Sequence, residues 1–178
     1  MPKYSKSGPS GQLRGAGGVV LYLDYDGVLH CDDVYYHPRR GVYLNAPPGY
    51  ELWQHVHLLE GALAPYPEVR IVLSTTWVRA FGYSRARARL PKSLRSRVVG
   101  ATYHSAMQHS AFDAVPRGWQ ILQDVERRKP RDWLALDNDA RDWPEEHLGR
   151  LVLTDDREGL AAPGVLEELV RKLQRLHR

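Results

Sequence analysis

The stretch LYLDYDGVLH (residues 21–30) places two aspartates, Asp24 and Asp26, and then Gly27 directly after a run of apolar residues. The apolar run VVLYLD (residues 19–24) is typical of a short buried strand. One Asp would be enough to end such a strand in a turn. The second carboxylate, two residues later, therefore needs an explanation from the rest of the chain.

Length and composition predict a single domain without membrane spans. The chain has 178 residues, of which 43% are hydrophobic and 26% charged, as in ordinary globular domains. No apolar run approaches the roughly 18 residues of a transmembrane helix. Residues 1–18, rich in Ser, Gly, Lys and Pro, predict a flexible leader, and residues 19–178 the domain. The single cysteine, Cys31, excludes an internal disulfide and favours a reducing, cytoplasmic setting.

Strand-like and helix-like segments alternate along the chain. Three further apolar runs resemble the first: VRIVLST (residues 69–75), DWLALDND (132–139) and RLVLTDD (150–156). Segments with helical spacing of apolar residues separate them, at 50–63, 78–90 and 118–128. This alternation predicts an α/β, Rossmann-like fold with a mainly parallel sheet flanked by helices. Between the first strand and the first helix, residues 34–44 predict a small β-hairpin.

Each of the four predicted strands ends in carboxylates or hydroxyls. The groups are Asp24 and Asp26, Ser74 to Thr76, Asp137 to Asp139, and Asp155 with Asp156. Ligands of parallel α/β sheets bind beyond the carboxyl ends of the strands, so we expect these groups at one edge. Crowded carboxylates repel each other unless a cation binds, and hard oxygen ligands suit Mg²⁺. No His or Cys cluster offers a zinc site.

The Asp-x-Asp-Gly arrangement has the groups that phosphoryl transfer needs. An Asp at the end of a strand can attack phosphorus and form an aspartyl-phosphate. The carboxylate two residues later can protonate the leaving oxygen and afterwards activate water. Gly27 lets the backbone turn sharply and approach a ligand closely. A hydroxyl after the second strand can hold a phosphoryl oxygen, and a cationic side chain can offset the negative charge.

These segments resemble the haloacid dehalogenase (HAD) superfamily of phosphohydrolases. The matching residues are DYDGVL (24–29) for motif I, VLSTTW (72–77) for motif II and WLALDND (133–139) for motif IV. More narrowly, the chain is similar to the HAD-type domain of Swiss-Army-knife RNA repair proteins, where two hydroxyl residues and a Trp follow the second strand. The resemblance covers about residues 19 to 178. It implies a Mg²⁺-dependent phosphatase, a phosphoric monoester hydrolase.

The resemblance implies a role for each matching residue. Asp24 is expected as the nucleophile and a Mg²⁺ ligand, and Asp26 as the general acid/base, with its backbone carbonyl also on the metal. Asp137 is the further metal carboxylate. Thr75 is the expected phosphate-binding hydroxyl, with Ser74 second. The sequence leaves open whether the metal is also bound by Asn138, Asp139, Asp142, Asp155 or Asp156.

The cation of motif III has two candidates. Lys129 precedes Pro130, a pair common in this superfamily, but it ends a predicted helix and should lie at the sheet edge opposite the site. Arg117 comes at the start of that helix, on the carboxyl-end side. We therefore favour Arg117, although the family usually has Lys; Arg binds phosphate well.

Cap size and charge bear on the substrate. In the superfamily that the chain resembles, a cap inserted after motif I or between motifs II and III governs access to the site. In this chain the first of these segments is long enough only for a hairpin flap, and the second only for a small helical addition. An open site admits large substrates, and the net charge of +4 includes a basic group at residues 85–97. Together with the resemblance, these features favour a nucleotide or nucleic-acid end. A small metabolite, a phosphoprotein and a non-catalytic nucleic-acid- or phosphate-binding module are the alternatives.

Overall fold

The structure is a computed structural model that describes residues 11–177. Its elements follow in the order β1 (Val19–Leu23), β2 (Val34–His37), β3 (Gly41–Leu44), α1 (Val56–Leu63), β4 (Arg70–Leu73), α2 (Thr76–Phe81), α3 (Tyr83–Ala88), α4 (Lys92–Arg95), β5 (Val98–Ala101), α5 (His109–Asp113), α6 (Arg117–Arg128), β6 (Asp132–Asp137), a 3₁₀ helix (Glu145–Arg150), β7 (Leu151–Leu153) and α7 (Val165–Leu176). Strands and helices alternate, as the sequence predicts.

Five strands form one parallel sheet in the order β5-β4-β1-β6-β7. The central strand β1 is fully buried, as expected for an apolar run between two neighbours. In the register, Leu23 pairs with both Leu73 and Leu136, so three strands end almost level. The residues that follow these strands therefore meet at one edge. The predicted Rossmann-like α/β fold is confirmed.

Helices cover both faces of the sheet. Side chains alternate along a strand, so Leu21 and Leu23 point to one face and Tyr22 to the other. Leu21 and Leu23 belong to the core cluster that includes Leu59 of α1 and Leu169 and Leu173 of α7. Tyr22 belongs to a second cluster, with Ile121 of α6. The sheet is thus buried between two helical layers.

A buried polar network anchors α6 to the sheet. The Tyr22 hydroxyl donates to Asp124 Oδ2 at 2.9 Å, and Arg128 Nε donates to the same oxygen at 2.7 Å. Arg128 also donates to the backbone oxygen of Arg14 at 2.6 Å. These contacts lie in the C-terminal half of α6. Its first residue, Arg117, lies at the edge where the strands end.

Two helix boundaries differ from the sequence prediction. The helix expected over 50–63 begins only at Val56, because the preceding residues form turns and Trp53 has a left-handed φ of 69°. The helix expected over 78–90 is divided into α2 and α3 at Gly82, whose φ of 86° is not helical.

The predicted hairpin is present as β2 and β3, with Tyr35 paired to Tyr43. Residues 1–10 of the predicted leader lie outside the described residues. Residues 14–17 form a turn, and Gly17 N–H donates to the backbone oxygen of Lys129 at 3.0 Å. The domain boundary at residue 19 stays a prediction. No helix within residues 11–177 is long and apolar enough to cross a membrane.

Candidate active site

Asp24 lies at the carboxyl end of the central strand and is only 4% exposed. Its backbone N–H donates to the Leu136 oxygen at 3.1 Å, which extends the pairing of β1 with β6 by one residue. Its carboxylate accepts a hydrogen bond from Tyr25 N–H at 2.7 Å. Burial raises the pKa of Asp24 to about 6, although Arg117 opposes the shift. A charged Asp24 is therefore costly in the isolated protein.

Asp137 ends the neighbouring strand β6 and is 1% exposed. Its Oδ1 accepts a hydrogen bond from Asp139 N–H at 2.9 Å. Its Oδ2 is buried and has no hydrogen-bond partner among residues 11–177. Burial, and then the charge of Asp24, raise the pKa of Asp137 well above its ordinary value. A buried carboxylate oxygen without a hydrogen bond needs a positively charged neighbour to offset its charge.

Arg117 lies between these two carboxylates. Its Nη2 is 3.3 Å from Asp24 Oδ2, its Nε is 3.4 Å from Asp137 Oδ2, and its Nη1 donates to the Ser74 backbone oxygen at 2.5 Å. Burial alone would lower the pKa of Arg117, but the carboxylates of Asp24 and Asp137 raise it. Lys129, in contrast, lies at the other end of α6, beside the residues that precede β1.

Ser74 and Thr75 follow β4 and are both buried. The Thr75 side chain caps α2, accepting from Trp77 N–H at 3.4 Å, and a hydrogen bond from Thr75 is among the influences that lower the pKa of Asp24. The Ser74 hydroxyl has no hydrogen-bond partner among the described residues. Thr75 thus lies beside Asp24, where the sequence predicts a phosphate-binding hydroxyl.

Asp26 lies in the turn after β1, and its side chain is 19% exposed. Its Oδ1 accepts a hydrogen bond from Trp77 Nε1 at 2.8 Å and lies 3.0 Å from His30 Nε2. Neither contact is predicted from the sequence. One signal was available, because His30 lies four residues after Asp26, but the approach of Trp77 depends on the packing of α2.

Position 27 requires a glycine, because of both its backbone conformation and the residues packed around it. Its φ of 68° is in the left-handed region, and a Cβ there would lie 2.6 Å from Asn138 Cγ. Its carbonyl accepts a hydrogen bond from the Thr154 hydroxyl at 2.6 Å. The turn that carries the two aspartates is thus packed directly against the loops after β6 and β7.

Three of the other predicted carboxylates, Asp139, Asp155 and Asp156, already have local partners. Asp139 binds Arg141 through both oxygens, at 3.0 and 2.8 Å, and this pairing lowers the pKa of Asp139. Asp156 accepts from Asn138 Nδ2 at 2.8 Å. Asp155 is exposed and accepts from the backbone N–H groups of the following turn. Asp142, also exposed, has a left-handed φ of 51°.

Two of the cavities at this end of the sheet border Arg117 or Asp26. The larger, of about 360 Å³, lies between α2, α5 and the start of α6; Thr75, Arg79, Phe112, Arg117, Asp139 and Arg141 are among its lining residues. The smaller, of about 130 Å³, lies between the β2–β3 hairpin and α2 and includes Asp26, Tyr36 and Trp77 in its lining. Tyr36 packs on Phe81, with ring centroids 5.6 Å apart. The hairpin thus packs against α2 beside Asp26.

The donor set fits Mg²⁺. Residues 11–177 contain no group of three or more His, Cys, Asp and Glu that could hold a metal ion. Mg²⁺, however, is usually bound by one or two carboxylates together with waters and substrate phosphate. Asp24 and Asp137 supply two, and the buried Oδ2 of Asp137, 3.4 Å from Arg117 Nε, accepts no hydrogen bond from residues 11–177 that would compete with a metal ion.

Comparison with known protein families gives a match. The model of the family described as the HAD domain in Swiss Army Knife RNA repair proteins matches residues 20–165, which is most of the chain. No curated protein and no solved structure matches the chain. The matched range begins at the central strand and ends at the first residue of α7.

Proposed function

Because the chain belongs to the family of HAD domains in Swiss Army Knife RNA repair proteins, we propose that it is a Mg²⁺-dependent phosphatase acting through an aspartyl-phosphate on Asp24. The observation that carries this proposal is the meeting of Asp24, Arg117 and Asp137 at the ends of β1 and β6. Asp26 follows in the adjoining turn. A buried nucleophile, a cation and a second carboxylate are the groups that this reaction requires.

The reaction has two steps. In the first, an oxygen of Asp24 bonds to phosphorus while the bond from phosphorus to the leaving oxygen breaks, and Asp26 gives its proton to that oxygen. In the second, Asp26 takes a proton from water, the water oxygen attacks phosphorus, and the bond from phosphorus to Asp24 breaks. Inorganic phosphate leaves, and both aspartates return to their starting forms.

Positive charge and hydroxyl groups support both steps. Arg117 offsets the charge of Asp24 and Asp137 and attracts the phosphoryl group. The Thr75 hydroxyl, with Ser74 second, would hold a phosphoryl oxygen. Mg²⁺ would be held by the carboxylates of Asp24 and Asp137 and by the backbone carbonyl of Asp26. Such an ion, when bound, neutralises charge on the phosphoryl oxygens.

The proposed substrate is a nucleotide or a phosphorylated nucleic-acid end. The support is chemical: Arg79 and Arg141 line the larger cavity, and Tyr36 of the hairpin is 60% exposed beside the smaller one. Cations bind backbone phosphates, and exposed aromatic rings stack on bases. The family's occurrence in RNA repair proteins agrees with this choice.

The test is phosphate release with Mg²⁺ from a panel of substrates. The panel contains para-nitrophenyl phosphate, nucleotides, oligonucleotides phosphorylated at the 3′ or 5′ end, a sugar phosphate and a phosphopeptide. We expect activity on the oligonucleotides or nucleotides, lost in EDTA and at least about 10³-fold lower in Asp24→Asn. Asp132→Asn is the matched control, because Asp132 begins β6 at the other edge of the sheet and pairs with Arg150.

Three outcomes would contradict parts of the proposal. Activity that persists in Asp24→Asn would exclude this residue as the nucleophile. A preference for the sugar phosphate or the phosphopeptide would replace the proposed substrate class. An inactive protein that still binds oligonucleotides would favour the non-catalytic binding module.

A further inference from the structure

The carboxylate of Asp26 is held by one oxygen only. Trp77 Nε1 donates to Oδ1 at 2.8 Å, and His30 Nε2 lies 3.0 Å from the same atom. Among residues 11–177, no hydrogen bond reaches Oδ2 of Asp26. The side chain is partly exposed, and Asp26 lines the smaller cavity. The two oxygens of Asp26 are therefore not equivalent.

The backbone of Trp53 decides which nitrogen of His30 carries the proton. Trp53 N–H donates to His30 Nδ1 at 3.3 Å. A ring nitrogen that accepts a hydrogen bond carries no proton, so neutral His30 has its proton on Nε2. The contact between His30 and Asp26 is then an N–H donor bond to the carboxylate.

The two donors lie in a packed aromatic cluster. His30 is fully buried and Trp77 is 2% exposed. The Trp53 ring lies 4.7 Å from the His30 ring and 5.1 Å from the Trp77 ring, and Tyr25 packs on Trp53 at 5.1 Å. Trp53 has a left-handed φ of 69°, a conformation that is strained for a bulky residue. Such strain is retained where the surrounding packing enforces it, and here it accompanies the N–H contact with His30.

We infer that His30 and Trp77 are positioning residues that hold Asp26 by Oδ1 and leave Oδ2 as the oxygen that transfers the proton. This inference rests on the proposed phosphatase reaction. In the first step the proton moves from Oδ2 to the leaving oxygen, and in the second it moves from water back to Oδ2. Restricting rotation of the carboxylate keeps the proton aimed at the reacting atoms. Neither His30 nor Trp77 contacts the substrate in this role.

The experiment compares two esters that differ in their need for a proton. Para-nitrophenolate leaves readily without protonation, whereas the alkoxide of a nucleoside 5′-monophosphate requires it. We expect Trp77→Phe and His30→Met to lower kcat/KM for the nucleoside monophosphate about tenfold more than kcat/KM for para-nitrophenyl phosphate, because kcat/KM reports the first step, whereas the second step is common to both esters. His30→Gln, which can place an amide N–H near the position of Nε2, should restore most of the loss.

Equal losses of kcat/KM on the two esters would overturn the inference, because a merely structural role does not depend on the leaving group. Circular dichroism verifies folding; if His30→Met does not fold, Trp77→Phe and His30→Gln retain the test.

A second measurement does not depend on activity. In ¹⁵N NMR spectra, Asp26→Ala should shift the indole N–H of Trp77 and the Nε2 signal of His30, whereas Asp132→Ala should not. Unchanged signals in Asp26→Ala would refute the positioning role. An inactive wild type would count against the proposed function, while the NMR result would still decide whether the two donors hold Asp26.

Discussion

Replacing Asp24 by Asn should stabilise the metal-free protein while abolishing phosphate release. Burial raises the pKa of Asp24 from 3.8 to about 6. The folded state therefore binds the proton more tightly than the unfolded state, and stability falls as the pH rises from about 4 to about 6. About two pKa units at about 1.4 kcal/mol each correspond to a penalty of roughly 3 kcal/mol, fully present above about pH 6. Asn removes this charge and can still accept the hydrogen bond from Tyr25 N–H.

Urea and thermal unfolding in EDTA measure this effect. At pH 7.5 we expect the free energy of unfolding of Asp24→Asn to be roughly 2–3 kcal/mol higher than that of the wild type, which corresponds to a Tm about 4–12 °C higher. At pH 4 the difference should become small, because Asp24 is then largely protonated in the wild type. Mg²⁺ should raise the Tm of the wild type more than that of Asp24→Asn.

Asp139→Asn is the control for this prediction. Arg141 lowers the pKa of Asp139, so this variant should lose stability at pH 7.5 instead of gaining it. The reasoning is refuted if Asp24→Asn gives no stabilisation at pH 7.5. An equal gain at both pH values would also refute it, since the effect would then not come from the buried charge.

Two further variant pairs test the cation and the turn. Arg117→Gln should lower kcat by about 10²-fold or more, whereas Lys129→Asn, at the other end of α6, should change kcat less than about threefold. Equal losses of kcat in the two variants would contradict the assignment of Arg117 as the cation of the site. Gly27→Ala and Gly41→Ala both place Ala at a φ near +70°, which costs about 1–2 kcal/mol, but only the first brings a Cβ onto Asn138. Urea unfolding should show a loss at least about 1 kcal/mol larger for Gly27→Ala, and equal losses would show that the packing against Asn138 is unimportant.

The sheet and the positions of its polar ends could be predicted from the sequence. Apolar runs followed by carboxylates or hydroxyls are local patterns, and the parallel arrangement follows from their alternation with helices. The same patterns predict Asp24 at the end of a buried strand and Arg117 at the start of a helix on the same edge, where both are found. The helix predictions are wrong at Trp53 and Gly82, because helical spacing of apolar residues does not reveal a single residue with positive φ.

The sequence alone therefore determined the fold class, the Asp-x-Asp-Gly turn and the set of residues at the strand ends. Only the tertiary structure decided which of them meet. Level strand ends bring Asp24 beside Asp137, and the direction of α6 brings Arg117 between them. The contact of Trp77 with Asp26 joins residues 51 positions apart. The physical reason is that spacing along the chain determines local conformation, whereas distances between side chains depend on strand register and helix packing.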